Sequence, residues 1–160
     1  MIKIGIGYDL HKLIKGRPLL LGGAEIPFNK GEDGHSDGDV LAHAVCDAFL
    51  GAAGLGDIGE MFPPSDPAYK NADSMELLRI AADRVKKAGW KVINIDCVII
   101  LENPKILPYR EAVCRSLAEM LGISAENVFI KGKTAEGAGP AGKGKVIQAY
   151  AVCLLSNEKN

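Results

Sequence analysis

The stretch Ile2-Lys-Ile-Gly-Ile-Gly-Tyr-Asp-Leu-His11 decides the fold prediction. Isoleucine and glycine alternate along it, and a period of two residues is typical of a β-strand. Glycines within a strand indicate that another segment approaches its backbone closely. Because residues two apart on a strand point to the same side, we expect Asp9 and His11 to share one face of the sheet.

Apolar runs and turn residues predict the other strands. Residues 17–23 are typical of a second strand, which we expect to form a hairpin with the first. Residues 24–37 hold turn formers without a clear period and predict a loop. Further strands are predicted over 91–101, 128–132 and 146–155.

Capping residues predict three helices. Asp37 or Asp39 can cap the first, Asp73-Ser74 can cap the second, and the third is predicted over 108–121. Between the first two helices, residues 56–72 contain three prolines and two glycines, which predict a long ordered loop or a flexible flap.

The order of these elements, β β α α β α β β, lacks a regular βαβ repeat. It predicts an α/β protein of the mixed, α+β kind, with helices on one face of a mixed sheet. At 160 residues the chain has the size of one domain, so we expect residues 1–160 to form a single domain. Helices on one side leave the other face of the sheet to be buried, which favours oligomerisation.

Composition and charge exclude several classes of protein. A formal net charge of -1 argues against a surface built for nucleic acid or an anionic membrane. No apolar run is long enough to span a bilayer, and the first residues lack the cleavage site of a signal peptide. The four cysteines lie scattered among apolar neighbours, which is typical of buried free thiols in a reducing compartment. We therefore expect a cytoplasmic protein; a plastid protein that has lost its transit peptide is the alternative.

Three residues could hold a metal ion. Asp9, His11 and His43 offer one carboxylate and two imidazoles, a set that suits a tetrahedral Zn²⁺ site with a fourth position open. Each is a weak indication alone, and the alternative for His43 is a core histidine hydrogen-bonded to the backbone. Asp47, one turn after His43, is expected either to orient this site or to be a solvated acid.

Two segments are suited to bind an anion. His35-Ser-Asp-Gly-Asp39 leads into a predicted helix start, where free N–H groups attract negative charge, although the segment can equally serve as a cap. The loop over 131–145 holds five glycines and four lysines around Glu136. It would suit phosphates bridged by a divalent ion, and an exposed loop with solvated lysines is the alternative. Together the segments favour metal-assisted chemistry at phosphorus.

These motifs together resemble the 2-C-methyl-D-erythritol 2,4-cyclodiphosphate synthase family, and the resemblance covers essentially the whole chain. The matching segments are Gly5-Ile-Gly-Tyr-Asp-Leu-His11, His35-Ser-Asp-Gly-Asp-Val40 with His43, Gly54-Leu-Gly-Asp-Ile-Gly59, Phe62-Pro63, Ala72-Asp-Ser74, Asn103-Pro-Lys-Ile-Leu107 and Lys131 to Glu136.

The resemblance implies a phosphorus–oxygen lyase of the non-mevalonate route to isoprenoid precursors. The substrate would be 4-diphosphocytidyl-2-C-methyl-D-erythritol 2-phosphate, a small cytidine diphosphate derivative. Its 2-phosphate would attack the β-phosphorus, giving the cyclic diphosphate and CMP. Because the substrate brings its own ionised nucleophile, the enzyme would supply orientation and charge neutralisation.

The resemblance also implies metal and catalytic residues. Asp9, His11 and His43 would hold Zn²⁺, and Glu136 would hold a second divalent cation, Mg²⁺ or Mn²⁺. His35 and Thr134 match the positions that stabilise the transition state.

Other positions are implied to contact the substrate. Ser36, Asp57 and Gly59 match those that hold the methylerythritol phosphate, and residues 101–107 match the cytidine pocket. The full set of implied contacts is Asp9, His11, His35, Ser36, Asp57, Ile58, Gly59, Phe62, Asp66, Leu101, Pro104, Lys105, Ile106, Leu107, Lys133, Thr134, Ala135, Glu136 and Lys143.

The family is a homotrimer whose sheets gather around a threefold axis, with active sites between subunits. This chain departs from the family pattern at Pro64, at Lys133-Thr-Ala-Glu136 and over 140–145. In the last segment Lys143 replaces arginine and Lys145 reverses a charge. Lysine lacks the arginine fork, which argues against conventional binding of an isoprenoid diphosphate in the channel of the trimer.

Two other functions remain as alternatives. A Zn²⁺-dependent phosphohydrolase would use metal-bound water to attack the diphosphate. A binding module for a nucleotide or an isoprenoid diphosphate would bind without turnover. The presence of Asp9, His11, His43 and Glu136 argues against a module, because binding alone does not need two metals.

Overall fold

The computed structural model describes residues 1–157. Its strands are β1 (Ile2–Lys15), β2 (Leu19–Leu21), β3 (Ala24–Ile26), β4 (Lys30–Asp33), β5 (Lys91–Ile100), β6 (Val128–Lys133) and β7 (Val146–Ser156). Its helices are α1 (Val40–Ala53), α2 (Ile58–Met61), α3 (Ser74–Lys87), α4 (Arg110–Leu121) and α5 (Gly139–Gly142). Within this part of the chain, no helix combines the length and the apolar character needed to cross a membrane.

Five strands form a mixed sheet in the order β4-β1-β7-β5-β6. The strand β1 pairs antiparallel with the whole of β7, from Ile2 opposite Ser156 to Lys12 opposite Val146. The strands β5 and β7 are also antiparallel, whereas β5 and β6 are parallel and are joined through α4. The predicted mixed α/β architecture is therefore confirmed.

Two glycines allow α1 to lie directly against β1. A Cβ atom added at Gly5 would lie 1.9 Å from the Ala48 carbonyl oxygen, and one added at Gly7 would lie 1.8 Å from the Ala44 carbonyl oxygen. No larger residue fits at either position, so the predicted close approach is confirmed. The contact brings His43, the neighbour of Ala44 in α1, towards the part of β1 that carries Asp9.

The helices cover one face of the sheet. The residues of β7 that point to this side, such as Ala149, Ala151 and Leu155, are fully buried. The opposite side, here called the open face, exposes large apolar side chains: Ile2, Ile4, Ile6, Tyr8, Leu10, Phe129, Tyr150 and Val152. Ile4 is 72% exposed, which is unusual for an isoleucine in the middle of a sheet.

The hairpin prediction for residues 17–23 is wrong. Only Leu19–Leu21 form a strand there, and it pairs with β3 rather than with β1. The partner of β1 at this end is β4, so the predicted loop over 24–37 contains two short strands. Strands of three and four residues are too short to show a period of two, which is why the sequence pattern missed them.

The predicted caps are largely confirmed. Asp39, not Asp37, caps α1 by accepting a hydrogen bond from the Ala42 N–H at 3.0 Å. Asp73 caps α3, and Gly122, with a φ of 65°, ends α4. The loops predicted over 56–72 and 131–145 contain the short helices α2 and α5.

Candidate active site

Asp9, His11 and His43 converge at one point. The first two lie on β1 and the third on α1. The Asp9 Oδ2 atom lies 2.9 Å from His11 Nε2 and 2.9 Å from His43 Nδ1. One ligand atom from each residue lies within 4.8 Å of the others, so the three can hold a metal ion together. We call them the ligand cluster.

The orientation of His11 is fixed by the backbone. Its Nδ1 atom lies 2.6 Å from the carbonyl oxygen of Gly38. Because a carbonyl can only accept, Nδ1 must carry the proton and donate it. Nε2 is then free to bind a metal, on the side that faces Asp9.

The orientation of His43 is fixed by a chain of two side chains. The Ser74 hydroxyl donates a short hydrogen bond to the Asp37 carboxylate, which can only accept. The Ser74 oxygen, 2.9 Å from His43 Nε2, therefore accepts the proton of that nitrogen. Nδ1 is left without a proton and faces Asp9.

The ligand cluster thus brings together three atoms that can bind a metal cation. Two imidazole lone pairs and a carboxylate converge, and this set fits Zn²⁺ with one coordination position open. Burial acts to raise the pKa of Asp9, but when His11 and His43 are protonated in the absence of a metal their hydrogen bonds and charges outweigh it, and the net pKa lies below its usual value. The carboxylate therefore remains ionised and available as a ligand.

Ser36 lies behind the ligand cluster. It is buried, its Oγ accepts a hydrogen bond from the Gly38 N–H at 3.1 Å, and the same oxygen lies 3.1 Å from both His43 Nε2 and Ser74 Oγ. Sequence reasoning treated Asp37 and Ser74 as capping residues and as members of segments that match the family, and their place beside His43 was missed. The implied contact of Ser36 with substrate stays a prediction.

The ligand cluster opens into a cavity of about 390 Å³, here called the metal cavity. Its lining combines polar groups with the apolar side chains of Phe62 and Leu77. The implied substrate contacts that line it are Asp9, His11, His35, Ser36, Ile58, Gly59 and Phe62.

Three acidic side chains accept hydrogen bonds from the backbone of the loop beside the metal cavity. Asp47 lines the cavity, and its carboxylate accepts a hydrogen bond from the Ile58 N–H at 2.8 Å. Because Asp47 is partly buried and holds the start of α2, it is not a solvated acid, and burial raises its pKa. Asp57 and Asp66 are exposed and cap short helical turns through the Glu60 and Ala68 N–H groups.

A second cavity of about 390 Å³, here called the lysine cavity, lies at the other edge of the sheet. The implied contacts that line it are Leu101, Lys105, Ile106, Leu107, Lys133, Thr134 and Glu136. The Thr134 hydroxyl donates to the Glu136 carboxylate at 2.8 Å. Arg110 also lines this cavity and was not identified from the sequence.

Three further implied contacts line neither cavity. Pro104 belongs to the loop that precedes Lys105, and Ala135 donates its N–H to the Glu102 carboxylate at 3.2 Å. Lys143 is exposed and follows the last turn of α5.

Within one chain the two cavities lie apart. The ligand cluster belongs to β1 and α1, whereas Glu136 follows β6, and β7 and β5 lie between β1 and β6. Three interstrand spacings correspond to roughly 14 Å. Of the residues described, only Asp9, His11 and His43 come close enough to share a metal, so Glu136 is not brought to them within the chain.

A model of the YgbB family matches residues 2–156, nearly the whole chain. The chain belongs to the YgbB family. It is 57% identical over 154 residues to the 2-C-methyl-D-erythritol 2,4-cyclodiphosphate synthase of Treponema denticola, with 96% of each chain covered. The family resemblance noted in the sequence is thereby confirmed.

Solved structures are similar over the same range. A CDP-bound 2C-methyl-D-erythritol-2,4-cyclodiphosphate synthase has a TM-score of 0.89 and 40% identity, with 96% of this chain and 100% of that chain covered. The bifunctional IspDF of Campylobacter jejuni has a TM-score of 0.95 and 41% identity. There the match covers 98% of this chain but 42% of that longer one.

Proposed function

We propose that this protein converts 4-diphosphocytidyl-2-C-methyl-D-erythritol 2-phosphate to 2-C-methyl-D-erythritol 2,4-cyclodiphosphate and CMP. It is then a phosphorus–oxygen lyase of isoprenoid precursor biosynthesis. Membership of the YgbB family, with relatives named for this activity, supports the assignment. The observation that carries it is the convergence of Asp9, His11 and His43 on one point, beside a cavity that can hold a phosphate.

In the proposed reaction the 2-phosphate of the substrate attacks the β-phosphorus, and the bond between this phosphorus and the oxygen bridging to the α-phosphate breaks. CMP leaves with the electron pair of that bond. Asp9, His11 and His43 would hold Zn²⁺, which supplies neutralisation of charge on a β-phosphate oxygen. His35, which is exposed and lines the metal cavity, would donate a hydrogen bond to the developing charge.

The lysine cavity is the proposed site for the cytidine diphosphate end. Lys105, Arg110 and Lys133 give its lining a positive charge that suits a diphosphate, and Glu136 would hold a second divalent cation, Mg²⁺ or Mn²⁺. Thr134 would assist at the transition state. A relative of known structure is described as CDP-bound, which supports a nucleotide ligand.

We further propose a homotrimer with each active site between neighbouring subunits. A substrate that contacts both cavities needs them together, and within one chain the strands β1 and β6 that lead to them are roughly 14 Å apart. The apolar open face gives such an assembly a surface to bury, with the sheets gathered around a threefold axis. Residues 1–160 would act as one domain of this trimer.

A cytoplasmic location and the absence of nucleic-acid or membrane partners belong to the same proposal. All four cysteines are free and buried, as expected in a reducing compartment. The comparisons give no support to a phosphohydrolase or to a module without turnover.

Phosphorus NMR with the cytidylated 2-phosphate substrate tests the proposal. Coupled resonances of a cyclic diphosphate should appear together with CMP, vanish when Zn²⁺ is chelated and return when it is restored. Linear phosphate products would instead establish hydrolysis. An unchanged spectrum from folded protein that binds CDP would establish a binding module.

A further inference from the structure

One side chain holds the backbone on both sides of His35. The guanidinium group of Arg17 donates from Nη1 to the carbonyl of Gly34 at 3.3 Å and from Nη2 to the carbonyl of Ser36 at 3.0 Å. These are the carbonyls immediately before and after His35. The fork of a single arginine therefore spans the residue that lines the metal cavity.

The position of Arg17 is itself fixed. It follows β1 directly after Gly16, which has a positive φ of 83°, and its backbone lies against Gly31 of β4. Nη1 also lies 3.9 Å from the Asp33 carboxylate. Because both partners of this ion pair are partly exposed, the pair adds little energy by itself. The main interactions of the Arg17 side chain are therefore its hydrogen bonds to the carbonyls of Gly34 and Ser36.

A third contact completes the support of His35. Its own carbonyl accepts a hydrogen bond from the Asn71 N–H at 2.8 Å. The imidazole, by contrast, is exposed, and within residues 1–157 it takes part in no hydrogen bond or ion pair. The backbone of His35 is thus held from three sides while its side chain is available to a ligand.

We propose that Arg17 is a positioning residue, which sets the place of the His35 imidazole relative to the ligand cluster. This inference rests on the proposed function, in which His35 stabilises the transition state. Without the fork, two carbonyls lose their donor and the segment around His35 can shift. A displacement of about 1 Å at a catalytic group can cost on the order of 100-fold in rate.

The primary test replaces Arg17 by methionine or lysine and measures turnover, KM and bound Zn²⁺. Arg17→Met should lower kcat by about 10- to 100-fold while KM and metal content stay near those of the unaltered protein. Arg17→Lys should lose most of the same activity, because one ammonium group cannot span both carbonyls in the planar geometry of the fork. Arg115→Met is the matched control, since Arg115 is exposed and, among residues 1–157, its ion pair is with Glu111 on α4.

A double-mutant cycle distinguishes positioning from general stabilisation. If Arg17 acts through His35, then Arg17→Met should change the residual single-turnover rate less than about twofold in the His35→Ala background. Losses that multiply in the double variant would overturn the inference, as would a loss of bound Zn²⁺. If Arg17→Met does not fold, the cycle is run with Arg17→Lys, and unfolding of both would leave Arg17 with a purely structural role. Failure of the proposed function is recognised separately, because the unaltered protein would then form no cyclic diphosphate.

Discussion

Ser74 Oγ lies 2.9 Å from His43 Nε2, and its hydroxyl proton goes to Asp37. This relationship joins the start of α3 to α1 and decides which nitrogen of His43 faces Asp9. A capping segment, Asp73-Ser74, thus also orients a metal ligand. The local role was evident from sequence, whereas the contact across the fold was not.

Replacement of Ser74 should weaken metal binding. Without the hydroxyl, His43 can take the other tautomer or rotate, and outer contacts of this kind are worth about 10- to 100-fold in metal affinity. We expect Ser74→Ala to lower Zn²⁺ affinity by that factor, as measured by competition with a chelator. Ser65→Ala, at an exposed position of the nearby loop, should leave the affinity unchanged. Equal Zn²⁺ affinities for the two variants would show that Ser74 does not help to hold the metal ligands.

The contact between α1 and β1 predicts that alanine substitutions at two glycines will change the free energy of unfolding in opposite directions. Gly7→Ala would place a Cβ 1.8 Å from the Ala44 carbonyl oxygen, so α1 must move away from β1. We expect a loss of about 3 kcal/mol or more in the free energy of unfolding, with weaker Zn²⁺ binding because His43 moves with α1. Urea denaturation and metal titration measure both effects.

Gly51→Ala is the matched control for this contact. Gly51 lies in α1, is exposed and has no atom within 4 Å of an added Cβ. Alanine should stabilise the helix there by about 0.5–1 kcal/mol. Destabilisation at Gly51, or tolerance at Gly7, would contradict the packing described here.

A buried acid makes the stability depend on pH. Burial raises the pKa of Glu32 well above its usual value, and nearby Asp39 and Asp37 act in the same direction. The folded state then holds a proton that the unfolded chain loses above about pH 4.3. The contribution of Glu32 is therefore fully present below that pH and is lost as the pH rises towards the raised pKa.

Glu32→Gln should remove this part of the dependence, because glutamine imitates the protonated acid. We expect the variant to gain stability relative to the unaltered chain as the pH rises from 5 towards 8, in urea denaturation at each pH. Asp39, whose pKa is also raised by burial, is present in both proteins, so only its coupling to Glu32 enters the difference. A constant difference across this range would show that Glu32 is ionised in the folded state.

Local patterns explain how much of this fold could be predicted. The Ile–Gly alternation of β1 and the caps Asp39 and Asp73 act through neighbours in sequence, so the core strand and the helices followed from them. The strand β4 has four residues, too few to show a period of two in the sequence. Its pairing with β1 depends on the turns that separate the two strands along the chain. For the same reason Arg17 went unnoticed, since its partners lie 17 and 19 residues away.

The separation of the two cavities leads to a final prediction. His43→Ala should lose Zn²⁺ and turnover, and Glu136→Gln should lose turnover, while each variant still folds and assembles as a trimer. If each active site combines the metal cavity of one subunit with the lysine cavity of its neighbour, some interfaces in mixed trimers contain an unaltered metal cavity and an unaltered lysine cavity. Unfolding and refolding an equal mixture of the two variants should restore about a quarter of the activity of the unaltered protein. At each interface the metal cavity and the lysine cavity are each unaltered with a probability of about one half, and the two probabilities multiply. A mixture as inactive as its components would place the whole active site within one chain, and mixing two preparations of His43→Ala provides the control.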